Sequence, residues 1–241
     1  GYATVHATVD GVVGSAAATI VAGEAYAWEL LYNRDYPGGT SEIFIVGVGT
    51  GVAPVKLNAG NVGRQATPSP NGQRIAFAVT MQDLTTREWI NDIFAVDRTG
   101  MNMKRLTSVA GSEFEPAWSP TGGRIAYTHV SPAGRSDIWL MLEDGSAAVN
   151  LTGDMPATAS RDGAAWSPDG SRIAFRQTES GVNGTTTWLY TMRADGSDKR
   201  EVSRTTTGFD SRPNWSPNGT ELAFARHYGG GETDITTVPA T

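Results

Sequence analysis

The chain has 241 residues, of which 39% are apolar, and its 19 Lys and Arg against 25 Asp and Glu give a formal charge of −6. This balance leaves no basic stripe to neutralise phosphates, which argues against nucleic acid as a partner. The sequence has no cysteine, which excludes disulfides and thiolate metal sites. No apolar run approaches the roughly 20 residues needed to cross a bilayer, so we expect no membrane insertion.

The glycine and proline content favours β-structure. The 29 glycines and 12 prolines are spread along the chain, as in all-β proteins with many tight turns. The first residues carry no basic region followed by an apolar block, so we expect a mature form without a signal peptide.

The N-terminal region predicts two strands. Residues 2–9 run YATVHATV, in which small and bulky residues alternate, and Asp10-Gly11 follows as a turn signal. Residues 14–23 contain the apolar run AAATIV, which suits a strand buried on both faces. Three further short strands are predicted at residues 30–32, 42–46 and 54–57.

A turn motif then recurs at nearly constant spacing. One copy is Trp118-Ser119-Pro120-Thr121-Gly122. The serines of the four copies lie at positions 69, 119, 167 and 216, which are 50, 48 and 49 residues apart. Pro fixes φ and Gly takes a positive φ without steric penalty, so the motif is turn chemistry. A period in this range indicates a repeat architecture.

Three other elements repeat with this motif. An apolar triplet follows it, as at residues 125–127. An acid before Ile comes next, as in Asp137-Ile138, and a Leu-Thr pair or its equivalent closes the unit, as in Leu151-Thr152. Four short strands in about 48 residues are typical of a β-propeller blade.

These repeats predict an all-β fold, a five-bladed β-propeller with four antiparallel strands per blade. We expect one domain over residues 1–241, in which the last unit has three strands. The N-terminal strand, residues 2–9, is predicted to complete that unit and close the ring, because such a latch removes two sheet edges that invite aggregation. The units are predicted at residues 12–58, 64–107, 113–152, 162–203 and 210–238.

One unit resembles a full repeat of the TolB-like (WD-type) β-propeller family. The resemblance rests on residues 116–127, 137–139, 144–145 and 150–152, and it extends over four of the five units and the later strands of the first. It implies a propeller fold and a periplasmic or extracellular, bacterial-type location. Similar repeats occur in TolB, in the gating propellers of serine peptidases and in some polysaccharide lyases. We expect two differences from TolB, namely about five units where that family has six, and no counterpart of its separate N-terminal domain in residues 1–241.

The repeated residues are interpreted as scaffold. Trp118, Trp166 and Trp215 are large rings at one position of the repeat, suited to filling the space between adjacent blades. Asp169 belongs to a turn. Asp137 and its equivalents recur before a buried strand, which favours a shared structural hydrogen bond over a reaction centre.

Function is expected at the end of the blades opposite the repeated turns. In four antiparallel strands, this end carries the loops between the second and third strands and those between blades, which here differ in length and chemistry. Loops on a rigid scaffold commonly carry binding residues. The candidates for ligand binding are Tyr36, Arg64, Trp89, Phe114, His129, Arg161, Arg212, His227 and Tyr228.

Two hypotheses compete for this end. The first is a non-catalytic module that binds a protein, peptide or glycan over the central channel through aromatic anchors and arginines. The second is a carbohydrate-active enzyme, a glycosidase or lyase, whose catalytic pair needs carboxyls about 5 to 9.5 Å apart. The first is preferred because the candidate acids alternate with arginines at equivalent positions, which predicts mutual neutralisation. Those acids are Glu113, Glu115, Asp162 and Asp210.

No cofactor or protein metal site is predicted. His129 and His227 belong to different units, and loops two blades apart do not converge on one metal ion. A Ca²⁺ held by loop carboxylates and carbonyls stays open. The sequence contains no Gly-x-Ser-x-Gly elbow, Walker loop or dinucleotide fingerprint. We expect a monomer.

Overall fold

The computed structural model describes residues 2–9, 12–22, 28–35, 41–47, 53–57, 62–182, 184–206, 208–228 and 231–240, with side chains from 31 onward except 35 and 62. Every regular element in these ranges is a β-strand, and none of them contains a helix long and apolar enough to cross a membrane. The chain divides into two compact units, Gly1–Val109 and Ala110–Thr241, which we call unit 1 and unit 2.

Unit 1 contains two antiparallel sheets, whose strands are hydrogen-bonded in chain order. The first sheet consists of β1 (Tyr2–Val9), β2 (Val12–Ala22), β3 (Trp28–Asp35), β4 (Ser41–Gly47) and β5 (Val55–Lys56). The second consists of β6 (Val62–Pro68), β7 (Arg74–Gln82), β8 (Trp89–Asp97) and β9 (Lys104–Arg105).

Unit 2 contains three antiparallel sheets of four strands each. The third sheet of the chain consists of β10 (Ser112–Trp118), β11 (Arg124–Val130), β12 (Ser136–Leu142) and β13 (Val149–Asn150). The fourth consists of β14 (Ser160–Trp166), β15 (Arg172–Gly181), β16 (Gly184–Arg193) and β17 (Arg200–Thr205). The fifth consists of β18 (Gly208–Asp210), β19 (Asn214–Trp215), β20 (Glu221–Tyr228) and β21 (Thr233–Pro239).

The N-terminal strand belongs to the first sheet, so the prediction that it completes the last one is wrong. β1 pairs antiparallel with β2 over its whole length, from Tyr2 opposite Thr19 to Val9 opposite Val12. Only two residues separate the strands, so their pairing closes a very short loop, which loses less chain entropy than pairing with a strand at the other end of the sequence. The prediction of repeated antiparallel sheets is confirmed, with four strands in the second to fifth sheets, whereas the first sheet has five strands.

The apolar triplets form the interior of the sheets. Ile125, Ala126 and Tyr127 are at most 1% exposed, and their alternation places successive side chains on opposite faces of β11. In unit 2 one core cluster joins Ile138 and Leu151 of the third sheet to residues of the fourth. The triplet is therefore buried on both faces, as its continuous apolar run indicates.

The repeated tryptophans connect neighbouring sheets of unit 2. Trp166 donates its Nε1–H to the carbonyl oxygen of Ala117 at 3.0 Å, and Trp215 donates in the same way to Ala165 at 3.0 Å. Each ring therefore packs against the first strand of the preceding sheet and satisfies its polar atom there. The interpretation of these tryptophans as scaffold agrees with this contact.

The Ser-Pro-x-Gly motifs are turns between the first and second strands of a sheet. In one of them Ser119 N–H donates to Arg124 O at 2.9 Å, and Gly122, at φ +78°, donates its N–H to Ser119 O at 2.9 Å. Hairpins such as that around Gly145 join the third and fourth strands, where its N–H donates to Leu142 O at 2.9 Å. Both kinds of turn lie at one end of each sheet, which we call the turn end, and the remaining connections lie at the loop end.

A β-bulge interrupts the first strand of the third and fourth sheets near the loop end. The register shifts between Phe114 and Ala117 and, at the equivalent place, between Asp162 and Ala165. The bulged strand bends and re-aims its side chains. The bulges lie beside the charged residues Glu115 and Asp162.

Candidate functional site

Three equivalent residues on the first strands of unit 2 are completely buried. Glu113, Arg161 and Asp210 are each 0% exposed, although sequence reasoning placed all three among the candidate site residues. The Glu113 Oε1 atom lies 2.7 Å from Nδ1 of His129. Arg226 donates to both oxygens of Asp210, at 2.7 and 2.8 Å, and this hydrogen bonding raises the pKa of Arg226. Both acids therefore face a basic partner inside the sheet.

Arg161 is buried and hydrogen-bonded within unit 2. Its Nε donates to Gln177 Oε1 at 3.0 Å, and Nη1 donates to Asp137 Oδ1 at 3.2 Å and to Ala159 O at 3.1 Å. Nη2 donates to Pro156 O at 2.5 Å. Burial lowers the pKa of Arg161, and the Asp137 carboxylate opposes that effect. The guanidinium is therefore engaged by protein acceptors on all sides, and the contact of Arg161 with a ligand stays a prediction.

A second set of charges lies near the bulges, with Glu115 and Asp162 on the first strands of the third and fourth sheets, Arg176 on β15 and Arg212 between β18 and β19. We call Glu115, Asp162, Arg176 and Arg212 the charged belt. Asp162 accepts two hydrogen bonds from Arg176, at 2.9 and 2.6 Å, and Arg212 forms an ion pair with Glu115 and lies 3.8 Å from Asp162. Their side chains range from 13% exposed for Glu115 to 49% for Arg212, so the belt is accessible from solvent.

Gly163 allows the charged belt to form. Its N–H donates to Glu115 Oε2 at 3.0 Å, and the Arg212 side chain runs directly over it. A Cβ atom at this position would lie 2.3 Å from Cγ of Arg212, and the φ of Gly163 is +69°. Glycine is thus required both by the backbone conformation and by the close approach of the arginine.

Burial raises the pKa of Glu115. The Asp162 charge also raises it, whereas Arg212 and the hydrogen bonds from Thr128 and Gly163 lower it. The net effect is that Glu115 has a raised pKa and lies near the Asp162 carboxylate. Arg212 pairs with Glu115, and Arg176 pairs with Asp162.

A cavity of about 550 Å³ opens at the loop end between the fourth and fifth sheets. Thr187 is 1% exposed, and its Oγ1 has no hydrogen-bond partner in the described part of the chain. Phe209 is 48% exposed, and its ring stacks on His227 with centroids 4.2 Å apart. The cavity is lined by Arg176, Thr178, Gly184, Thr185, Thr187, Thr206, Gly208 and Phe209.

The sequence did not predict the residues that line this cavity. Of its lining residues, none was a predicted site residue, although His227 beneath Phe209 was. The Gly-Thr-Thr-Thr run at residues 184–187 is a local signal for a polar loop-end surface. The contribution of Thr206 and Phe209 has no such signal, because it depends on the fifth sheet lying beside the fourth.

The other predicted site residues do not line the cavity. Tyr228, 38% exposed, lies opposite Gly208 in the fifth sheet. In unit 1, Trp89 is 71% exposed at the start of β8, and Arg64 is exposed on β6. Phe114 is half-buried, His129 is 8% exposed, and Tyr36 lies outside the described residues.

The structure brings no predicted metal ligands together. His129 pairs with Glu113, whereas His227 lies 2.9 Å from the Thr233 hydroxyl through Nδ1. Within the described ranges, no three His, Asp or Glu side chains are grouped as ligands for one ion. The Ca²⁺ ion that the loop composition left open stays a prediction.

The repeated antiparallel sheets, of which the third, fourth and fifth are linked by Trp166 and Trp215, define a propeller-type repeat protein. The family model described as TolB beta propeller domain matches residues 29–241. The chain therefore belongs to the TolB beta propeller domain family, as the resemblance of its repeat implied.

Individual relatives show how far this similarity extends. The chain is 27% identical over 153 residues to the Protein TolB homolog of Chlorobium luteolum, covering 64% of this chain and 33% of that protein. It is 34% identical over 59 residues to dipeptidyl-peptidase 5 of Porphyromonas gingivalis, covering 24% of this chain and 9% of that one. The chain thus spans a third or less of both relatives.

A solved structure shows the same fold. TolB from Acinetobacter baumannii matches with a TM-score of 0.66 and 18% identity, covering 88% of this chain and 50% of that chain.

Proposed function

We propose that this chain is a non-catalytic binding propeller that recognises an extended segment of a partner protein at the loop end of unit 2. The observation that carries the proposal is the cavity beside Phe209, which stays open while the neighbouring charges pair with one another. A cavity of about 550 Å³ is within the range that ligands occupy.

The pairing of the acids supports binding over catalysis. Asp210 is held by Arg226, Asp162 by Arg176 and Glu115 by Arg212. The oxygens of these carboxylates are occupied by arginine, which leaves them less available to contact a substrate.

The cavity offers groups that suit a polypeptide. Phe209 provides an exposed aromatic surface, and the unpartnered Thr187 hydroxyl provides a buried polar group that a ligand atom can satisfy. Gly184, Thr185 and Thr186 pair with β15 on one side, whereas the pairing of β16 with β17 begins only at Thr187. Among the strands that the structure describes, none pairs with the opposite edge of these three residues, and Gly184 and Thr185 line the cavity, where an extended peptide can add hydrogen bonds.

The test is a peptide array and a glycan array probed with the full chain. We expect retention of peptides, and we expect Phe209→Ala to weaken that binding by about tenfold or more. Val149→Ala is the matched control, because Val149 is also 48% exposed but lies on the outer strand of the third sheet. Retention of glycans alone, or equal binding by both variants, would refute the proposed site.

The second candidate function is a carbohydrate-active enzyme, a glycosidase or lyase, and one observation favours it. Glu115 has a raised pKa beside the Asp162 carboxylate, the combination expected of a general acid. Turnover of a polysaccharide by the wild-type chain that disappears in both Glu115→Gln and Asp162→Asn would establish it. Absence of turnover across a polysaccharide panel would remove it.

We also propose a blade number, an oligomeric state and a cellular location for the chain. The recurrence of the Trp-Ser-Pro-x-Gly turn in successive units supports five blades in a closed ring, and small-angle X-ray scattering tests that shape. A monomeric state and a periplasmic or extracellular location also stay proposals, which light scattering and cell fractionation test.

A further inference from the structure

The cavity beside Phe209 has a single charged side chain among the described residues that line it. That side chain is Arg176, whereas the others are threonines and one phenylalanine. A wall with one cation and several hydroxyls is complementary to an anion. The volume of about 550 Å³ is far larger than a simple inorganic anion needs, so the anionic group that fits here belongs to a larger ligand.

Arg176 is held in place and still has N–H groups to offer. Its Nε and Nη2 donate to the two oxygens of Asp162 at 2.9 and 2.6 Å, and its Nη1 donates to Asp210 O at 3.3 Å. A guanidinium has five N–H groups, so these hydrogen bonds leave two of them without an acceptor in the described part of the chain. Asp162 also lies 3.8 Å from Arg212, so its charge is shared between two cations. Arg176 is therefore a fixed donor, 20% exposed, whose charge is only partly neutralised.

Two threonine hydroxyls lie on the same face of the fourth sheet as Arg176. Thr178 follows Arg176 by two residues on β15, and side chains at this spacing point to one face about 7 Å apart. Thr187 on β16 lies directly opposite Thr178, and all three residues line the cavity. Thr187 is 1% exposed, and its Oγ1 is without a partner among the described residues. A ligand atom that bonds to this hydroxyl relieves the cost of leaving it unpaired.

The apolar wall of the cavity adjoins this polar patch. Asp210, whose carbonyl oxygen accepts from Arg176, directly follows Phe209 on β18. The Phe209 ring is 48% exposed and is held by stacking on His227. A ligand whose carboxylate meets Arg176 therefore has its neighbouring carbon atoms close to an aromatic surface.

The edge of β16 favours the end of a peptide over its middle. Residues 184–186 pair with β15, and no described strand takes their other edge. From Thr187 onward β17 occupies that edge, with Thr205 opposite Thr187. A peptide that adds along residues 184–186 is therefore stopped at Thr205. Because the charge in the adjoining cavity is positive, it selects the carboxyl end of a chain over the amino end.

We propose, on the basis of the peptide binding proposed above, that the cavity receives the free carboxyl terminus of the partner segment. The remaining N–H groups of Arg176 and the hydroxyl of Thr187 donate to the terminal carboxylate. The side chain of the last residue packs on Phe209, so an apolar residue is preferred there. The residues before it add backbone hydrogen bonds along residues 184–186.

The probe is a pool of hexapeptides of random sequence, synthesised once with a free C-terminal carboxylate and once with a C-terminal amide. The full chain is immobilised, and mass spectrometry measures which peptides of each pool are retained. We expect the acids to be retained at least about tenfold more than the amides, because the amide cannot accept charge-assisted hydrogen bonds from Arg176. The amidated peptides that contain Asp or Glu test whether a side-chain carboxylate can replace the terminal one.

Two variants remove the proposed contacts. Arg176→Gln is expected to abolish the preference for acids over amides. Arg193→Gln is its control and is expected to keep that preference, because Arg193 is 65% exposed at the turn end of the same sheet. Thr187→Val removes a buried hydroxyl that has no partner within the described ranges, so the fold is retained, and we expect retention of the acids to fall about threefold to tenfold.

Several results would overturn the proposal, and they separate it from peptide binding itself. Equal retention of acids and amides, both reduced by Phe209→Ala, removes the terminal carboxylate but leaves a peptide site. Amidated peptides with Asp or Glu that bind as strongly as the acids assign the carboxylate to a side chain. Retention of neither pool removes the peptide site as well, and retention of a glucuronate oligosaccharide alone points to an acidic glycan. Unchanged retention by both Arg176→Gln and Thr187→Val places the carboxylate elsewhere.

Discussion

The buried pair of Asp210 and Arg226 offers the sharpest test of how the loop end is stabilised. Arg226→Met keeps much of the side-chain volume but leaves a carboxylate that is 0% exposed without its cation. Loss of one partner from a fully buried pair costs about 3–5 kcal/mol, and the Arg226 side chain is 22% exposed, so we expect the lower value of about 3 kcal/mol. At about 2–4 °C per kcal/mol, the Tm falls by roughly 6–12 °C.

The assay is urea unfolding followed by tryptophan fluorescence, with matched variants. Arg200→Met is the control, because Arg200 pairs with Asp198 on the surface at 53% exposure, and we expect it to lower the free energy of unfolding by less than about 1 kcal/mol. Asp210→Asn added to Arg226→Met neutralises the stranded charge and restores at least about 1 kcal/mol. If Arg226→Met behaves like Arg200→Met, or if Asp210→Asn restores nothing, the pair is not the source of stability.

Three further predictions concern the scaffold and the charged belt. The Ser167 hydroxyl is the largest influence that lowers the pKa of Asp169 to about 2, so the stability from this carboxylate is present above about pH 4 and lost as the pH falls towards 2. Asp169→Asn should reduce the slope of unfolding free energy against pH in that window, and an unchanged slope would contradict it. Arg212→Met removes a charge that lowers the pKa of Glu115, so the pKa should rise further in a carbon-13 NMR titration, and a fall would refute the assignment. Gly163→Ala should lower the free energy of unfolding by about 1–3 kcal/mol in urea titrations, because of its positive φ and the Arg212 clash. Arg212→Ala should recover part of that loss, and no recovery would exclude the clash.

The repeated sheets could be predicted because their signals are local. The turn at Ser119 needs only Pro and Gly nearby, and the strand at residues 125–127 needs only its apolar triplet. The partner of the N-terminal strand could not be predicted in this way. Its alternating sequence fits an edge of any sheet, and the two-residue connection to β2 decided the outcome.

The sequence predicted that acids and arginines in the candidate site neutralise one another, but it did not predict which residues pair or where the cavity lies. Neutralisation of the acids by arginines was expected, and Arg212 does pair with Glu115. Arg161 pairs instead with Asp137 of the preceding sheet, because it points between sheets rather than along its own strand. The cavity escaped prediction since its walls come from two sheets, whose adjacency no single stretch of sequence records.

The central claim, binding at the loop end without catalysis, is tested most directly by measuring retention and product formation in the same samples. The wild-type chain and Phe209→Ala are each incubated with the array peptides and with a polysaccharide panel, and mass spectrometry follows both. We predict peptide retention by the wild type, its loss in Phe209→Ala, and no product from any sample. Product formed by the wild type and abolished in Glu115→Gln would contradict the claim.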